Sequence, residues 1–341
     1  MAETNLDRLQ SDLKLNSPAR FYVFYGEEAY LRTYYLDKLH KLVVENFAEA
    51  FNYHRFNADT ISLQGVLDSL EALPMMAQRS MLQIDDVNFF AMGEDASSYA
   101  KFLGDIPDYC TVVLVYDTVE FKIDRRKKAL AELFDKAVTV EFTQPSEQEL
   151  CTWVGRHLKQ QGKRISTEDT QYLIHRSGGA MTTMLSEIGK LAAYVEGETV
   201  TREHIDLLVE PVLEAEIWDL TDAVATGRYE TALQVLRTLL QKQEEPIPIL
   251  AAIGSQMRRI LTAKRLLGAG RQQQDLMKLC GMSSYPARKT IANANRLPER
   301  FCARAVELCL EADVKLKSSF DSPDRVLEFL ILELAEEARH A

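Results

Sequence analysis

The chain has 341 residues, 46% of them hydrophobic and 27% charged, which is typical of a soluble globular protein with about two or three domains. No apolar run approaches the roughly 18 residues that a membrane helix needs, and residues 1–18 lack the apolar core of a signal peptide, so we expect a cytoplasmic protein with no membrane partner. The net charge of −11 argues against a protein whose main role is to hold a nucleic-acid backbone, although local basic patches are compatible with DNA contact.

The first predicted elements are a buried strand, a glycine turn and a helix. The strand is the aromatic and β-branched run Phe21–Tyr25, and Gly26 ends it. Apolar residues then recur at helical spacing from Tyr30 to Leu42. Strand, tight turn and helix are together the geometry of a phosphate-binding loop.

The P-loop template fits this turn only in part. With Gly26 as its first glycine, Leu31 stands at the second glycine, Arg32 at the lysine, and only Thr33 agrees. Glu28, like its neighbour at position 27, puts a carboxylate at the helix N-terminus, where a phosphate would meet like charge. We therefore predict a nucleotide-binding fold that binds no nucleotide and no other cofactor. An ordinary strand-to-helix turn without P-loop ancestry is the alternative.

Further strands and helices alternate up to about residue 144. The expected strands are Phe51–Phe56, Ser80–Ile84, Thr111–Tyr116 and Val138–Phe142. Helical spacing lies between them, beginning with a helix that Ser62 caps and Pro74 stops. This pattern predicts an α/β domain, 1–144, with a parallel sheet covered on both faces.

Two carboxylates follow one of these strands. Asp85 and Asp86 are suitable ligands for Mg²⁺, but acidic residues are also common in solvated turns. Without a P-loop lysine to hold the phosphates that such an ion would share, we favour the turn and predict no metal site.

The remainder of the chain is predicted to be helical. In 145–210, Ser146 and Glu149 form a capping box, a helix opens at Thr167, and Ser177–Ala180 is a break. Short helices after a parallel α/β unit are the layout of a small lid domain. From 211 to 341, long amphipathic helices predict a bundle, in which Cys302 and Cys309 fill the core.

Along its whole length the chain resembles the delta-subunit family of bacterial DNA polymerase III clamp loaders, in the AAA+ fold group. No single pattern is decisive, but they occur in order over all three domains. They are Phe24–Glu28 with Leu31, Leu73–Arg79, Ile123–Lys128, Ile217–Ala223 and Leu310–Ser318.

The resemblance implies an AAA+ core without a working nucleotide site (1–144), a helical lid (145–210) and a helical collar (211–341). The collar would join a circular assembly with other loader subunits, the ATPase subunits and delta-prime, which hydrolyse the ATP. The chain itself would bind the ring-shaped sliding clamp and help to open it for loading at primer-template DNA.

The family's clamp-binding element is a hydrophobic wedge after a helix, and here it matches Leu73, Met75 and Met76. Pro74 breaks the helix so that the two methionines project. Many members have leucine and phenylalanine where this chain has Met75 and Met76, but methionine adapts to apolar grooves. Internal packing of both methionines is the alternative.

DNA contact is a further expectation. Phe320 lies where the family often has an aromatic residue near the primer-template junction, and Arg258 and Arg259 belong to a basic cluster with Lys264 and Arg265. The cluster is equally compatible with a solvated face, and Phe320 with a buried collar position.

An active AAA+ ATPase is the competing class. It would need the P-loop lysine, which Arg32 replaces, and an arginine after Gly178, where Ala180–Thr182 follow instead. The sequence contains neither G-x-S-x-G nor H-E-x-x-H, so hydrolase and zinc-protease chemistry have no support. A non-replicative scaffold on the same fold remains a third possibility.

Overall fold

The computed structural model describes residues 5–93, 95–318 and 322–340. The chain divides into two compact units, one up to Gln144 and the other from Pro145 onward. Among the helices so described, none combines the length and the apolar character needed to cross a bilayer.

The first unit is built on five strands with helices between them. Its strands are β1 (Phe21–Tyr25), β2 (Tyr53–Asn57), β3 (Ser80–Asp85), β4 (Cys110–Val115) and β5 (Val138–Glu141). Its helices are α1 (Asn5–Lys14), α2 (Ala29–Val43), α3 (Glu49–Asn52), α4 (Leu63–Glu71), α5 (Asp95–Gly104) and α6 (Lys128–Lys136), with 3-10 turns at Asn46–Ala48 and Phe89–Ala91.

The sheet has the order β2-β3-β4-β1-β5, and every neighbouring pair is parallel. Alternate residues of each strand face opposite sides, so Val23 packs with α4, α5 and α6 while Tyr22 packs with α1 and α2. Both faces are buried, which explains why β1 and β4 read as nearly continuous apolar runs. The predicted α/β domain, with a parallel sheet covered on both faces, is confirmed.

One predicted strand begins later than expected. The run Phe51–Phe56 was predicted to be extended throughout, but β2 starts at Tyr53, and Phe51 and Asn52 complete the short helix α3. Asn52 is buried and bonded to a distant loop, while Phe51 is exposed to solvent. The apolar run does not indicate that Asn52 bonds a distant loop or that Phe51 faces solvent. The predicted start of the strand was therefore wrong by two residues.

Parallel pairing gathers the loops at two opposite edges of the sheet. Phe24, Asp85 and Val115 lie in one row across β1, β3 and β4, so the residues that follow them meet at the carboxyl edge. At the amino edge, Ser80 pairs with Cys110. The loops that lead into β2, β3 and β4 therefore lie side by side there.

The second unit is almost entirely helical. Its helices are α7 (Glu147–Gln160), α8 (Thr167–Ser177), α9 (Met181–Tyr194), α10 (Arg202–Leu208), α11 (Leu213–Ala225), α12 (Tyr229–Gln241), α13 (Pro246–Gly268), α14 (Gln273–Cys280), α15 (Ser284–Arg296), α16 (Glu299–Ser318) and α17 (Pro323–His340). Two short strands, β6 (Arg164–Ile165) and β7 (Thr199–Val200), pair in parallel.

Local signals in this unit act as the sequence indicates. The Ser146 hydroxyl accepts from the Glu149 N–H, and the Glu149 carboxylate accepts from the Ser146 N–H, so the predicted capping box begins α7. Gly178 ends α8 in the left-handed conformation, with φ at +82°.

The helices from α11 onward pack around a continuous apolar core. Leu220, Ile253 and Phe301 are fully buried in it, and Cys302 and Cys309 join them as predicted. The C-terminal helical bundle expected from the amphipathic spacing is confirmed.

Candidate functional site

The turn after β1 is shaped by its contact with Phe142, the residue that follows β5. Gly26 has a φ of +119°, and a Cβ at this position would lie 2.4 Å from the carbonyl oxygen of Phe142. The Glu28 N–H also donates to that oxygen, at 2.9 Å. Glycine is therefore required here for close packing of two backbone segments, whether or not a phosphate ever approaches the turn.

Arg32, which stands at the position of the P-loop lysine, is bound to the protein itself. Its side chain is nearly enclosed, with the residue 4% exposed. Nη1 donates to the Gly26 carbonyl at 2.6 Å, and Nη2 forms an ion pair with Asp117. The guanidinium thus bridges the ends of β1 and β4, and its charge is neutralised within the chain.

The N-terminus of α2, where a nucleotide phosphate would bind, carries a protein carboxylate. Glu28 is the N-cap residue, and its Oε1 accepts from the Tyr30 N–H at 3.1 Å. This carboxylate supplies the negative charge that the helix dipole favours. An incoming phosphate would have to displace it.

The two aspartates that follow β3 have separate structural roles. Asp85 Oδ2 lies 2.5 Å from Arg55 Nε, and Oδ1 accepts from Gln83. Asp86 occupies the left-handed region, with φ at +53°. Its carboxylate accepts from the backbone N–H groups of Asp117, Thr118 and Val119 and from the Thr118 hydroxyl.

These contacts favour the ionised form of the Asp86 carboxyl group. Partial burial acts to raise its pKa, but the hydrogen bonds from Asp117, Thr118 and Val119 outweigh burial and hold the pKa below its usual value. Asp86 is therefore a carboxylate that organises the loop after β4.

A cleft of about 460 Å³ lies at this carboxyl edge. Both signs of charge line it, with Arg32 and Arg55 paired to Asp117 and Asp85 respectively. The edge that holds the nucleotide in a working P-loop protein is here cross-linked by internal ion pairs.

The predicted wedge lies at the opposite, amino edge of the sheet. Helix α4 ends at Glu71, and the loop up to β3 exposes Leu73 by 76%, Met75 by 51% and Met76 by 79%. The alternative in which both methionines pack internally is therefore wrong. Three large apolar side chains are thus exposed within four positions of the chain. A contiguous exposed apolar patch is a common mark of an interaction site.

Neighbouring segments anchor the wedge loop at two points. The Asn52 side chain accepts from the Met75 N–H at 2.7 Å and donates to the Met75 carbonyl at 2.9 Å. The Tyr109 hydroxyl donates to the Leu70 carbonyl at the end of α4, at 3.2 Å. Sequence reasoning missed both anchors, because each partner is more than 20 residues away and no local pattern links them.

The basic residues predicted to contact DNA lie on α13, and some of them bond other parts of the bundle. On α13, Arg258 is exposed and Arg259 half-buried. Lys264 donates to the Ala294 carbonyl at 3.0 Å, and Arg265 pairs with Glu299 at 3.1 Å, so part of the basic cluster serves the bundle itself. Phe320 lies outside the described residues.

Helices α16 and α17 leave several apolar side chains in solvent. Leu310 and Val314 are exposed one helical turn apart on α16, and Phe329 and Leu332 are exposed on α17. The bundle thus has apolar surface that its own core does not use.

Two family models match this sequence. The model described as DNA polymerase III, delta subunit, matches residues 22–143. The model described as DNA polymerase III delta subunit, C-terminal domain, matches residues 214–334. The matched segments contain the degenerate turn, the wedge and most of the bundle.

Curated relatives and a solved structure agree with the family models. The chain is 24% identical over 324 residues to the DNA polymerase III subunit delta of Bacillus subtilis, covering 92% of each chain. It is 22% identical over 291 residues to a probable DNA polymerase III subunit delta of Aquifex aeolicus, covering 83% of this chain and 81% of that one. The structure of the Bacillus subtilis DNA clamp loader delta protein matches with a TM-score of 0.56 at 24% identity, covering 96% of this chain and 99% of that one. This structural likeness shows a shared fold.

Proposed function

We propose, from the premise that this chain belongs to the DNA polymerase III delta subunit family, that it binds the sliding clamp and helps to open it, without binding ATP itself. The observation that carries it is the exposure of Leu73, Met75 and Met76 on one anchored loop.

The wedge has the properties of an interface anchor. Burying each of these side chains in an apolar pocket would contribute about 1.5–3 kcal/mol before the costs of association. A few such residues usually dominate the binding energy of an interface. Methionine also adapts to irregular grooves, which suits a chain that has Met75 and Met76 where many relatives have leucine and phenylalanine.

The carboxyl edge supports the part of the proposal that concerns ATP. Arg32 is committed to Gly26 and Asp117, and Glu28 caps α2. Asp86 holds the loop after β4. Nucleotide binding would have to break contacts that stabilise the fold, so the energy of ATP hydrolysis would come from partner subunits.

Clamp opening then follows from differential binding. A ligand shifts an equilibrium only by the difference between its affinities for the two states. A rigid wedge that fits the sprung ring better than the closed ring would favour opening. This step needs no chemistry within the chain.

The remaining partners are assigned to the second unit. We place the lid in residues 145–210 and the collar in 211–341, with the exposed apolar residues of α16 and α17 available to the ATPase subunits and delta-prime. Primer-template DNA would be contacted within the complex, through Arg258 and Arg259. Phe320 is retained as a candidate from the sequence alone.

The test is binding of the purified chain to its own organism's sliding clamp by surface plasmon resonance, with and without ATP. We expect ATP-independent binding that the double variant Met75→Ala/Met76→Ala weakens by about 2 kcal/mol, or roughly thirtyfold. Leu15→Ala is the matched control, because Leu15 is an exposed leucine of the same unit outside the wedge. No binding by the folded wild-type chain would contradict the proposal. Binding that requires ATP would instead favour an active AAA+ ATPase.

A further inference from the structure

The loop that carries the wedge is held at its centre by a single buried side chain. Asn52 is 0% exposed, and the two polar atoms of its amide bond the N–H and the carbonyl of Met75, at 2.7 and 2.9 Å. The amide acts toward Met75 as a neighbouring strand would, offering one acceptor and one donor to the same residue.

We propose that Asn52 is a positioning residue for clamp binding, which keeps Leu73, Met75 and Met76 in their exposed arrangement before the clamp arrives. This inference rests on the proposed function, because it concerns how the wedge is presented to that partner. Asn52 would then control the affinity for the clamp without contacting the clamp itself.

The sheet explains why Asn52 reaches this loop. Asn52 directly precedes β2, and Tyr53 pairs with Met81 near the start of β3. The loop into β3 must therefore pass beside Asn52. On the other side of β3, Tyr109 directly precedes β4 and bonds the end of α4. The wedge loop is thus tied to the starts of both strands that flank β3.

The loop conformation needs such a restraint. Met76 has a φ of +55°, a left-handed conformation that residues other than glycine, asparagine and aspartate rarely adopt. Its side chain is exposed, so packing within the chain does not hold it there. Once Met75 is released, we expect the loop to populate conformations in which the apolar side chains turn toward the protein.

The consequence for binding is quantitative. The apparent affinity of a partner falls in proportion to the fraction of molecules in the competent conformation. If removal of the Asn52 bonds leaves about one molecule in ten competent, clamp affinity falls about tenfold, mainly through slower association. The wedge residues themselves would be unchanged.

Two substitutions test this idea in the full chain. Asn52→Asp is nearly isosteric and keeps the acceptor for the Met75 N–H, but it loses the donor to the Met75 carbonyl. Asn52→Ala loses both. The matched control is Asn57→Asp at the other end of β2, where the Asn57 side chain accepts from the backbone of Asp59 and Thr60 and a carboxylate can do the same. Clamp binding is measured by surface plasmon resonance beside the wild-type chain and Met75→Ala/Met76→Ala.

A second readout does not involve the clamp. Hydrogen exchange of the free chain reports the Met75 amide and the segment 72–79 directly. We expect faster exchange of the Met75 amide in Asn52→Ala, which removes its acceptor, and a smaller change in Asn52→Asp, which keeps that acceptor. Protection of β3 should be unchanged in both variants, and clamp affinity about tenfold weaker in Asn52→Ala. If Asn52→Ala fails to fold, Tyr109→Phe loosens the same loop independently, because it removes only the hydrogen bonds of the Tyr109 hydroxyl to the Leu70 and Glu71 carbonyls at the end of α4.

The outcomes separate the two ideas. Clamp affinity within twofold of wild type in a folded Asn52→Ala chain, or unchanged exchange of the Met75 amide in that chain, would overturn the role of Asn52. The proposed function would survive either result, because the Met75→Ala/Met76→Ala loss stands on its own. A wild-type chain that does not bind the clamp would overturn the proposed function, and the positioning role for clamp binding with it. Loss of β3 protection in Asn52→Asp would show a general structural role and count against positioning.

Discussion

The Nη1 atom of Arg32 lies 2.6 Å from the carbonyl oxygen of Gly26, so the cation at the P-loop lysine position is bonded to the backbone of its own turn. The same guanidinium pairs with Asp117 after β4. A residue that would neutralise phosphate in a working nucleotide site here cross-links the ends of two strands. The turn that follows β1 therefore depends on Arg32 for structural contacts.

Replacement of Arg32 by alanine should therefore destabilise the first unit. We expect the free energy of unfolding to fall by about 2 kcal/mol, because the Gly26 carbonyl and Asp117 lose a charged partner. Urea denaturation followed by circular dichroism measures this change. Arg32→Lys should retain part of the stability and gain no ATP binding by titration calorimetry, and micromolar ATP binding by that variant would contradict our account of the site.

A methyl group at Gly26 should be poorly tolerated. The added Cβ would lie 2.4 Å from the Phe142 carbonyl oxygen in a backbone conformation with φ at +119°. We expect Gly26→Ala to cost about 3 kcal/mol or more, or to prevent folding. Gly104→Ala is a suitable control, because a Cβ there meets nothing within 4 Å. Equal thermal stability of the two variants would show that the turn adjusts more easily than its geometry indicates.

Asp86 should contribute to stability as a carboxylate. Asp86→Ala removes the acceptor for the N–H groups of Asp117, Thr118 and Val119, and we expect a loss of about 1–3 kcal/mol. Asp86→Asn should lose less, because asparagine tolerates the left-handed backbone and keeps one acceptor.

The pH dependence at Asp86 has a definite sign. Since its folded pKa lies below the ordinary aspartate value of 3.8, its contribution is present at neutral pH and is lost as the pH falls through the folded pKa. Stability of the wild-type chain should thus fall toward that of Asp86→Asn in acid. An unchanged gap between the two chains down to the folded pKa would contradict this assignment.

The second unit should carry an acid-sensitive histidine. His175 lies against the rings of Trp218 and Tyr285, at centroid distances of 5.6 and 5.5 Å. Burial, with a smaller contribution from the nearby Lys289 charge, lowers the pKa of His175 from 6.5 to about 4. The folded state therefore favours the neutral ring.

Stability should consequently decline as the pH falls from about 6.5 to about 4, because the unfolded chain takes up a proton that the folded chain refuses. The full contribution is on the order of 3 kcal/mol. His175→Phe should remove this part of the pH dependence while preserving the ring packing. Urea denaturation followed by tryptophan fluorescence measures it, because both tryptophans, Trp153 and Trp218, lie in the second unit. Identical pH profiles for the two chains would contradict the assignment.

Much of the fold was predictable because its signals are local. The run Phe21–Tyr25 is apolar on both faces, so it reads as an inner parallel strand, and Ser146 with Glu149 marks a helix start within four residues. Where the deciding contact was remote, the prediction was wrong. Phe51 and Asn52 were placed in a strand because nothing in their neighbourhood reports the bonds of Asn52 to Met75.

The sequence by itself determined the class of each unit, the departure of the Gly26 turn from the P-loop template, and the position of Leu73, Met75 and Met76 after a helix. These follow from spacing, propensity and residue chemistry along the chain. Only the tertiary structure decided that Arg32 bonds the Gly26 carbonyl and pairs with Asp117, and that the two methionines face solvent. It also decided that the Asn52 amide bonds both backbone groups of Met75. Such facts depend on which loops parallel pairing brings to the same edge of the sheet, and pairing between distant strands is fixed by packing of the whole unit.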